Sequence, residues 1–192
     1  MPHVTVTNSR MGAGMLFKGA GTVSSPATSM GGTDGGINGS VETEHFEHKF
    51  DQTGTAPVDL TRTGFRARFE AEFAEVTLDN LVNSFPGDAV TGANPDRTVK
   101  LNGNIGQQAL RDGLGDRYTL IPQIAPDEYV TDSEECLVIP VGYCMGNLAL
   151  PYGVTDHRKF STIIEALPDT SDSNTRIIFG LGAPIADFEI AA

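Results

Sequence analysis

The sequence predicts a mainly β chain, a β-sandwich or partly closed barrel that carries one short α-helix. Three observations lead there. Phe65, Ala67, Phe69, Ala71 and Phe73 fall on one parity while Arg66, Arg68, Glu70 and Glu72 fall on the other, the period-two pattern of a strand with one face on a core. The 192 residues include 22 Gly and 11 Pro, which implies many turns and few long helices. Apolar runs that read as about eight strands follow one another along the chain, with a single secure helical pattern among them.

Residues 1–37 are rich in Gly, Ser and Thr, with Met15-Leu16-Phe17 as an apolar island. Two readings stand side by side: a poorly ordered leader with one strand, or an arm that orders against a neighbouring subunit. The glycine pairs here lack the flanking strand, helix and Lys-Ser/Thr that make a phosphate-cradling loop. Residues 39–50 form the partner of the 65–73 strand, with Phe46, His48 and Phe50 on one parity. Pairing Phe46 and Phe50 with the Phe65–Phe73 face puts His45 and Glu47 beside Arg66 and Arg68, where opposite charges stabilise the pairing. Glu42 and Glu44 break this parity, which predicts a bulge or an uncovered end.

Residues 51–63 (DQTGTAPVDLTRT) are too long for a tight hairpin, and long inter-strand loops are where β scaffolds touch partners. Asp51, Gln52, Pro57, Val58, Asp59 and Arg62 are its candidate contact residues. After Phe73 the strand runs into a helix: Thr77 is the predicted N-cap and Asp79 suits the positive end of the dipole. Leu78, Leu81, Val82 and Phe85 form the apolar stripe, and Pro86-Gly87 ends it. Residues 97–101 resume a strand; 107–123 read as two short strands meeting at Gly113–Asp116. Residues 136–143 (CLVIPVGY) read as a buried strand, and 159–167 with 175–181 as a final pair joined by an acidic turn. No linker or internal repeat divides the chain, so 1–192 is expected to be one domain.

Three patterns resemble chemical sites. His45 and His48 flank Phe46-Glu47, but on a strand they point to opposite faces and cannot converge on a metal without a bulge. Gly142-Tyr143-Cys144-Met145-Gly146 has the spacing of a nucleophile elbow with His157 downstream. The elbow requires a following helix, and Pro151 arrives within a few residues. Glu134-Glu135 and Asp169/Asp172 sit in turns and read as solvated charge. Nothing isolates an active site; no enzyme, metal or cofactor is expected.

The balance of 13 basic against 25 acidic residues, a net charge of −12, argues against a broad phosphate-gripping surface. Cys136 and Cys144 are too few for a disulfide framework and suit a reducing cytoplasm. No run approaches the roughly 20 apolar residues of a membrane span. The first residues lack the basic start and unbroken apolar segment of a signal peptide.

Met30-Gly31-Gly32-Thr33-Asp34-Gly35-Gly36 precedes the first long strand, and Asp51-Gln52, Pro57-Val58-Asp59 and Thr63-Gly64 follow. Then come Ala74-Glu75-Val76-Thr77-Leu78-Asp79-Asn80-Leu81 and, late in the chain, residues 160–169 (FSTIIEALPD). Each motif is short; their order resembles the major tail, or tail tube, proteins of tailed bacteriophages. The Gly-rich leader and residues 87–130 match nothing in that pattern. The resemblance implies a β-sandwich subunit that forms hexameric rings stacked into a tube, whose inner strands combine into a barrel-like lumen for genome passage. It implies no catalytic residues. Its assembly elements map to 51–63, the arm 1–37 and the tail 187–192. The implied partners are copies of the chain itself and other tail proteins: tape measure, tail terminator, baseplate or distal tail protein, and a sheath if the tail contracts. The implied location is the virion tail, after assembly in the host cytoplasm. An acidic wall lets DNA slide without being trapped, so Glu70 and Glu72 are candidate lumen residues. Arg66 and Arg68 instead suit ion pairs with the next subunit. A tube terminator, a sheath-interacting protein and a β-sandwich adhesion module are the alternative readings, the last disfavoured by few Tyr and no Trp.

Overall fold

A computed structural model describes residues 14–48, 59–74, 76–85, 90–92, 96–99, 108–125, 128–130, 132–149 and 159–190. Among these the chain is mainly β with one short helix. The strands are β1 (Gly14–Lys18), β2 (Thr28–Ser29), β3 (Thr33–His48), β4 (Asp59–Phe73), β5 (Val90–Thr91), β6 (Thr98–Val99), β7 (Asp116–Ala125), β8 (Glu128–Tyr129), β9 (Leu137–Ala149), β10 (Lys159–Ala166) and β11 (Ile178–Phe179); the helix α1 is Leu78–Ser84. The main sheet is open and antiparallel, in the order β2-β1-β7-β9-β10-β4-β3, with β8 on β7 and β11 on β9. β5 and β6 form a separate ribbon.

Alternation builds the core. Ala67, Phe69, Ala71 and Phe73 of β4 are buried, as are Phe160, Ile164 and Ala166 of β10. Register places Phe73 opposite Phe160 and Phe69 opposite Ile164; the two rings stack at 5.1 Å, a cross-strand pair of the kind that fixes register. Leu16 of β1, near one end of the sheet, joins the same cluster as Phe69 and Phe73 near the other. The sheet therefore curls enough to bring β1 and β4 side chains into one cluster.

β1 is buried on both faces. Leu16 faces this cluster, while Phe17 lies in a second one with Ala27, Ile121, Val130 and Cys136. The island Met15-Leu16-Phe17 is thus an interior strand paired to β7, and residues 14–37 of the expected arm are ordered against the chain's own sheet; 1–13 lie outside the described residues. Residues 187–190 of the expected tail are similarly engaged, and 191–192 lie outside the described residues. Phe188 packs edge-on against Phe17 at 5.5 Å, and Ile190 bridges Ala27.

Further differences have physical reasons. Thr77 caps α1 by accepting from the Asn80 N–H at 3.1 Å, as expected, but the buried face is Asn80 and Ser84, not the expected apolar stripe, and Leu78 is exposed. The helix approaches β9 at Gly146, where small side chains permit close contact. Pro86-Gly87 lies outside the described residues. The segment 107–123 holds one strand, β7, preceded by a turn at 109–113. β11 pairs with β9 rather than with β10, and between β10 and β11 the chain makes a turn bridged by Asp169 and Thr175. The apolar run at 136–143 is strand β9, extended to Ala149.

Candidate assembly surfaces

The even residues of β4 stand on the sheet face opposite the main core, flanked by β3 and β10. Register sets Glu42, Ser40 and Asn38 of β3 opposite Arg66, Arg68 and Glu70. On the other side Glu165, Ile163 and Ser161 of β10 face Arg68, Glu70 and Glu72. Arg66 reaches Glu165 with two bonds, Nε donating to Oε1 at 2.6 Å and a terminal nitrogen donating to Oε2 at 3.0 Å. That fork raises the Arg66 pKa. Arg68 Nε donates to Ser40 Oγ at 3.2 Å and lies 3.0 Å from Glu70 Oε1, with Glu42 at 3.8 Å from its other end. Lys159 pairs with Asp34, which raises the lysine pKa.

The expected pairing of His45 and Glu47 with Arg66 and Arg68 does not form, because register sets His45 and Glu47 across from Arg62 and Leu60; the arginines are satisfied inside the chain by Glu165, Glu42 and Glu70 instead. Arg66, Arg68 and Lys159 are all occupied by carboxylates, whereas Glu44 and Glu72 form no ion pair among the described residues. The surplus charge of this face is negative. A groove of about 510 Å³ crosses it between Asp34–Asn38 of β3 and Glu70, Glu72 and Ser161. It exists because β3 has extra residues between Thr33 and Ile37, accommodated by Gly35 and Gly36, both at φ +86°. Sequence reading placed this glycine pair ahead of the strand; it lies within it.

The second surface is the far end of the β3–β4 hairpin. β10 accompanies β4 only from Arg68 to Phe73, so residues 59–67 have β3 as their strand partner and project as a two-stranded ribbon. The predicted bulge occurs between Glu44 and His45. Beyond it Phe46 faces Thr61 and does not join the Phe65–Phe73 face, which Val41 and Thr43 oppose; with no sheet beneath it the ring is 57% exposed. Leu60, on the opposite ribbon face across from Glu47, is 56% exposed. Of the loop residues named from sequence, Asp59 and Arg62 belong to β4; Asp51, Gln52, Pro57 and Val58 lie outside the described residues. The ordered ribbon thus occupies part of the expected loop. Its alternation was hidden because neither face of DLTRT is covered. Phe46 and Leu60, Glu42 and Glu165 were not singled out as surface groups; the one signal available was Phe46 on a strand position between Glu44 and His48 at i±2.

The resemblances to chemical sites dissolve in the geometry. His45 and His48 sit across from Arg62 and Asp59 on opposite ribbon faces; His48 packs edge-on against Phe46 at 5.0 Å and its Nε2 lies 2.9 Å from Thr61 Oγ1. No group of metal-ligating side chains converges among the described residues. Cys144 is a mid-strand residue of β9 buried beside Tyr118, and burial pushes its thiol up to about 12. A thiol so protonated is a poor nucleophile. No helix among the described residues is long and apolar enough to cross a membrane. No protein-family model matches the chain, and no curated protein matches its sequence.

Proposed function

We propose that the chain is a structural subunit that assembles with copies of itself into rings, stacked as the tail tube of a bacteriophage and serving as a conduit for genome delivery. The observation that carries this reading is the β3–β4 ribbon. It projects beyond the sheet, exposes Phe46 on one face and Leu60 on the other, and leaves the outer edge of β3 without a strand partner among the described residues. An uncovered strand edge with exposed apolar side chains is an aggregation hazard in a monomer and an asset in a closed ring, where a neighbour pairs the edge. The order of sequence motifs supports the tail-tube form of such a ring.

In this reading neighbouring sheets combine around the ring, giving a sandwich-like subunit and a continuous barrel wall. The even face of β4 lines the channel. Its arginines are neutralised internally and its surplus is acidic, which suits a wall that phosphates slide past. Negative-stain electron microscopy of concentrated purified protein tests the proposal. Stacked rings or tubes are expected, and a chain that stays monomeric across salt and pH overturns it.

A further inference from the structure

Where β4 leaves the sheet, a cavity of about 540 Å³ opens between the ribbon and the last loop, lined by Arg62 and Phe65 on one side and Ser173, Asn174, Thr175, Arg176 and Ile177 on the other. Its two arginines differ from most of the chain's cations. Among the described residues Lys18, Arg66, Arg68, Arg97, Arg111 and Lys159 each have a carboxylate partner. Among the same residues Arg62, Arg176 and Arg117 have none, and the first two share one cavity. Arg62 rests its guanidinium over the Phe65 ring at 5.6 Å, and Arg176 spends one N–H on the Ala166 carbonyl at 3.2 Å; the remaining donors of both are uncommitted. Among the described residues neither Asp169 nor Asp172 of the adjoining turn forms an ion pair with them; the Asp169 carboxylate accepts from the Ser171 N–H at 2.9 Å and the Ser171 hydroxyl at 2.6 Å. Ser173 and Asn174 adopt left-handed backbone, at φ 51° and 62°, a conformation that is costly outside glycine.

We infer that this cavity is a carboxylate-binding site that receives an acidic side chain from a second copy of the chain. The inference rests on the ring-forming reading and names one contact within it. Each copy carries a net charge of −12, so copies repel unless cations are held in reserve for their carboxylates. Two guanidiniums provide the planar fork that matches a carboxylate. The hydroxyls of Ser173 and Thr175 and the amide of Asn174 are further donors. Arg62 also belongs to the ribbon that exposes Phe46 and Leu60, so the site continues the surface proposed for assembly.

Sedimentation velocity over a concentration series tests this on the full chain, comparing wild type with Arg62→Glu, with Arg62→Ala/Arg176→Ala and with Arg62→Lys/Arg176→Lys. Thermal melting verifies the fold, and Arg62→Glu serves if loss of the Arg176 bond to Ala166 unfolds the double variant. Arg62→Glu is expected to raise the concentration needed for assembly by about fivefold or more, with the lysine pair intermediate because it keeps charge but not the fork. The gap between wild type and variant should narrow at about 0.5 M salt. Equal assembly by wild type and Arg62→Glu overturns the site alone. A wild-type chain that never assembles overturns the ring reading and this occupant with it. If inorganic phosphate raises the melting temperature of wild type but not of the double alanine variant, while assembly is unchanged, the ligand is free phosphate and the carboxylate assignment is overturned.

Discussion

Gly142 and Gly146 show how a residue pattern can mean something other than it suggests. Their spacing around Cys144 mimics a nucleophile elbow, yet each is required for clearance. A Cβ at Gly142 would lie 2.7 Å from the Tyr118 ring and 2.9 Å from Ile164, and one at Gly146 would lie 2.7 Å from the Ser84 carbonyl. Contacts so short force the surroundings to move. The sequence could show that glycines stand there, but not that a tyrosine and a helix end occupy the space. Tyr118 itself is buried with its hydroxyl making no full hydrogen bond, the Cys144 thiol being its weak polar neighbour. Burial, the largest cause, raises Cys144 to about 12 and Cys136 to about 11. In the folded chain these thiols keep their protons while the unfolded chain releases them above about pH 9, so stability is complete below that pH and declines as pH rises toward 12. Each group contributes a loss of about 1.4 kcal/mol per pH unit within its window. Urea unfolding at pH 8 and pH 10.5 should show a smaller drop for Cys144→Ala than for wild type; identical drops would refute the assignment.

Elements were legible where a core lies beneath them. The β4 alternation and the β9 apolar run follow from burial, and the Thr77 cap from a side chain that satisfies a free helix N–H, both of which local sequence records. Legibility failed in three places for three reasons. β1 is short and buried on both faces, so it shows a bare apolar triplet with no period. α1 buries Asn80 and Ser84 because a glycine opposite lets the backbone come close. The ribbon end has no covered face, so residues 59–63 carry no pattern at all. Of the candidate surface, the β4 charge stripe was readable, whereas its neutralisation by Glu42 and Glu165 depends on register and was not. The ribbon also supplies a prediction that separates stability from assembly. Phe46→Ser and Leu60→Ser remove exposed groups that the isolated subunit does not bury, so each should change unfolding free energy by no more than about 0.5 kcal/mol. The pair together should abolish rings seen by microscopy. A large loss of stability with assembly retained would show that the ribbon's apolar groups serve the monomer instead.

At the scale of the whole molecule, charge is divided by role. The stripe on β4 is self-neutralised with an acidic remainder, while Arg62 and Arg176 stay uncommitted at the ribbon's root. A surface that neutralises its own cations offers phosphates no counterion release, the main source of non-specific affinity for nucleic acid. Assembled particles should therefore fail to retain duplex DNA in a gel-shift experiment at about 0.15 M salt. Retention that disappears with Arg66→Gln/Arg68→Gln would show that the face binds phosphates and would overturn its place as a channel wall.

The position of β1 has a consequence in time. Besides the short local strand β2, its hydrogen-bonded partner is β7, and its side chains share a cluster with β4 and β10, so β1 waits for segments translated much later. Pairings of such sequence separation carry a large loop-closure cost before any contact is gained, and sheets built from them fold in milliseconds to seconds rather than microseconds. The β3–β4 hairpin, local and continuous, can form earlier and on its own register. A nascent chain would then display its adhesive ribbon before its body exists. Completion of the C-terminal half, which supplies β10 to anchor β4 and Arg176 to finish the two-arginine cavity, is what turns that ribbon from a hazard during synthesis into a contact available only to finished subunits.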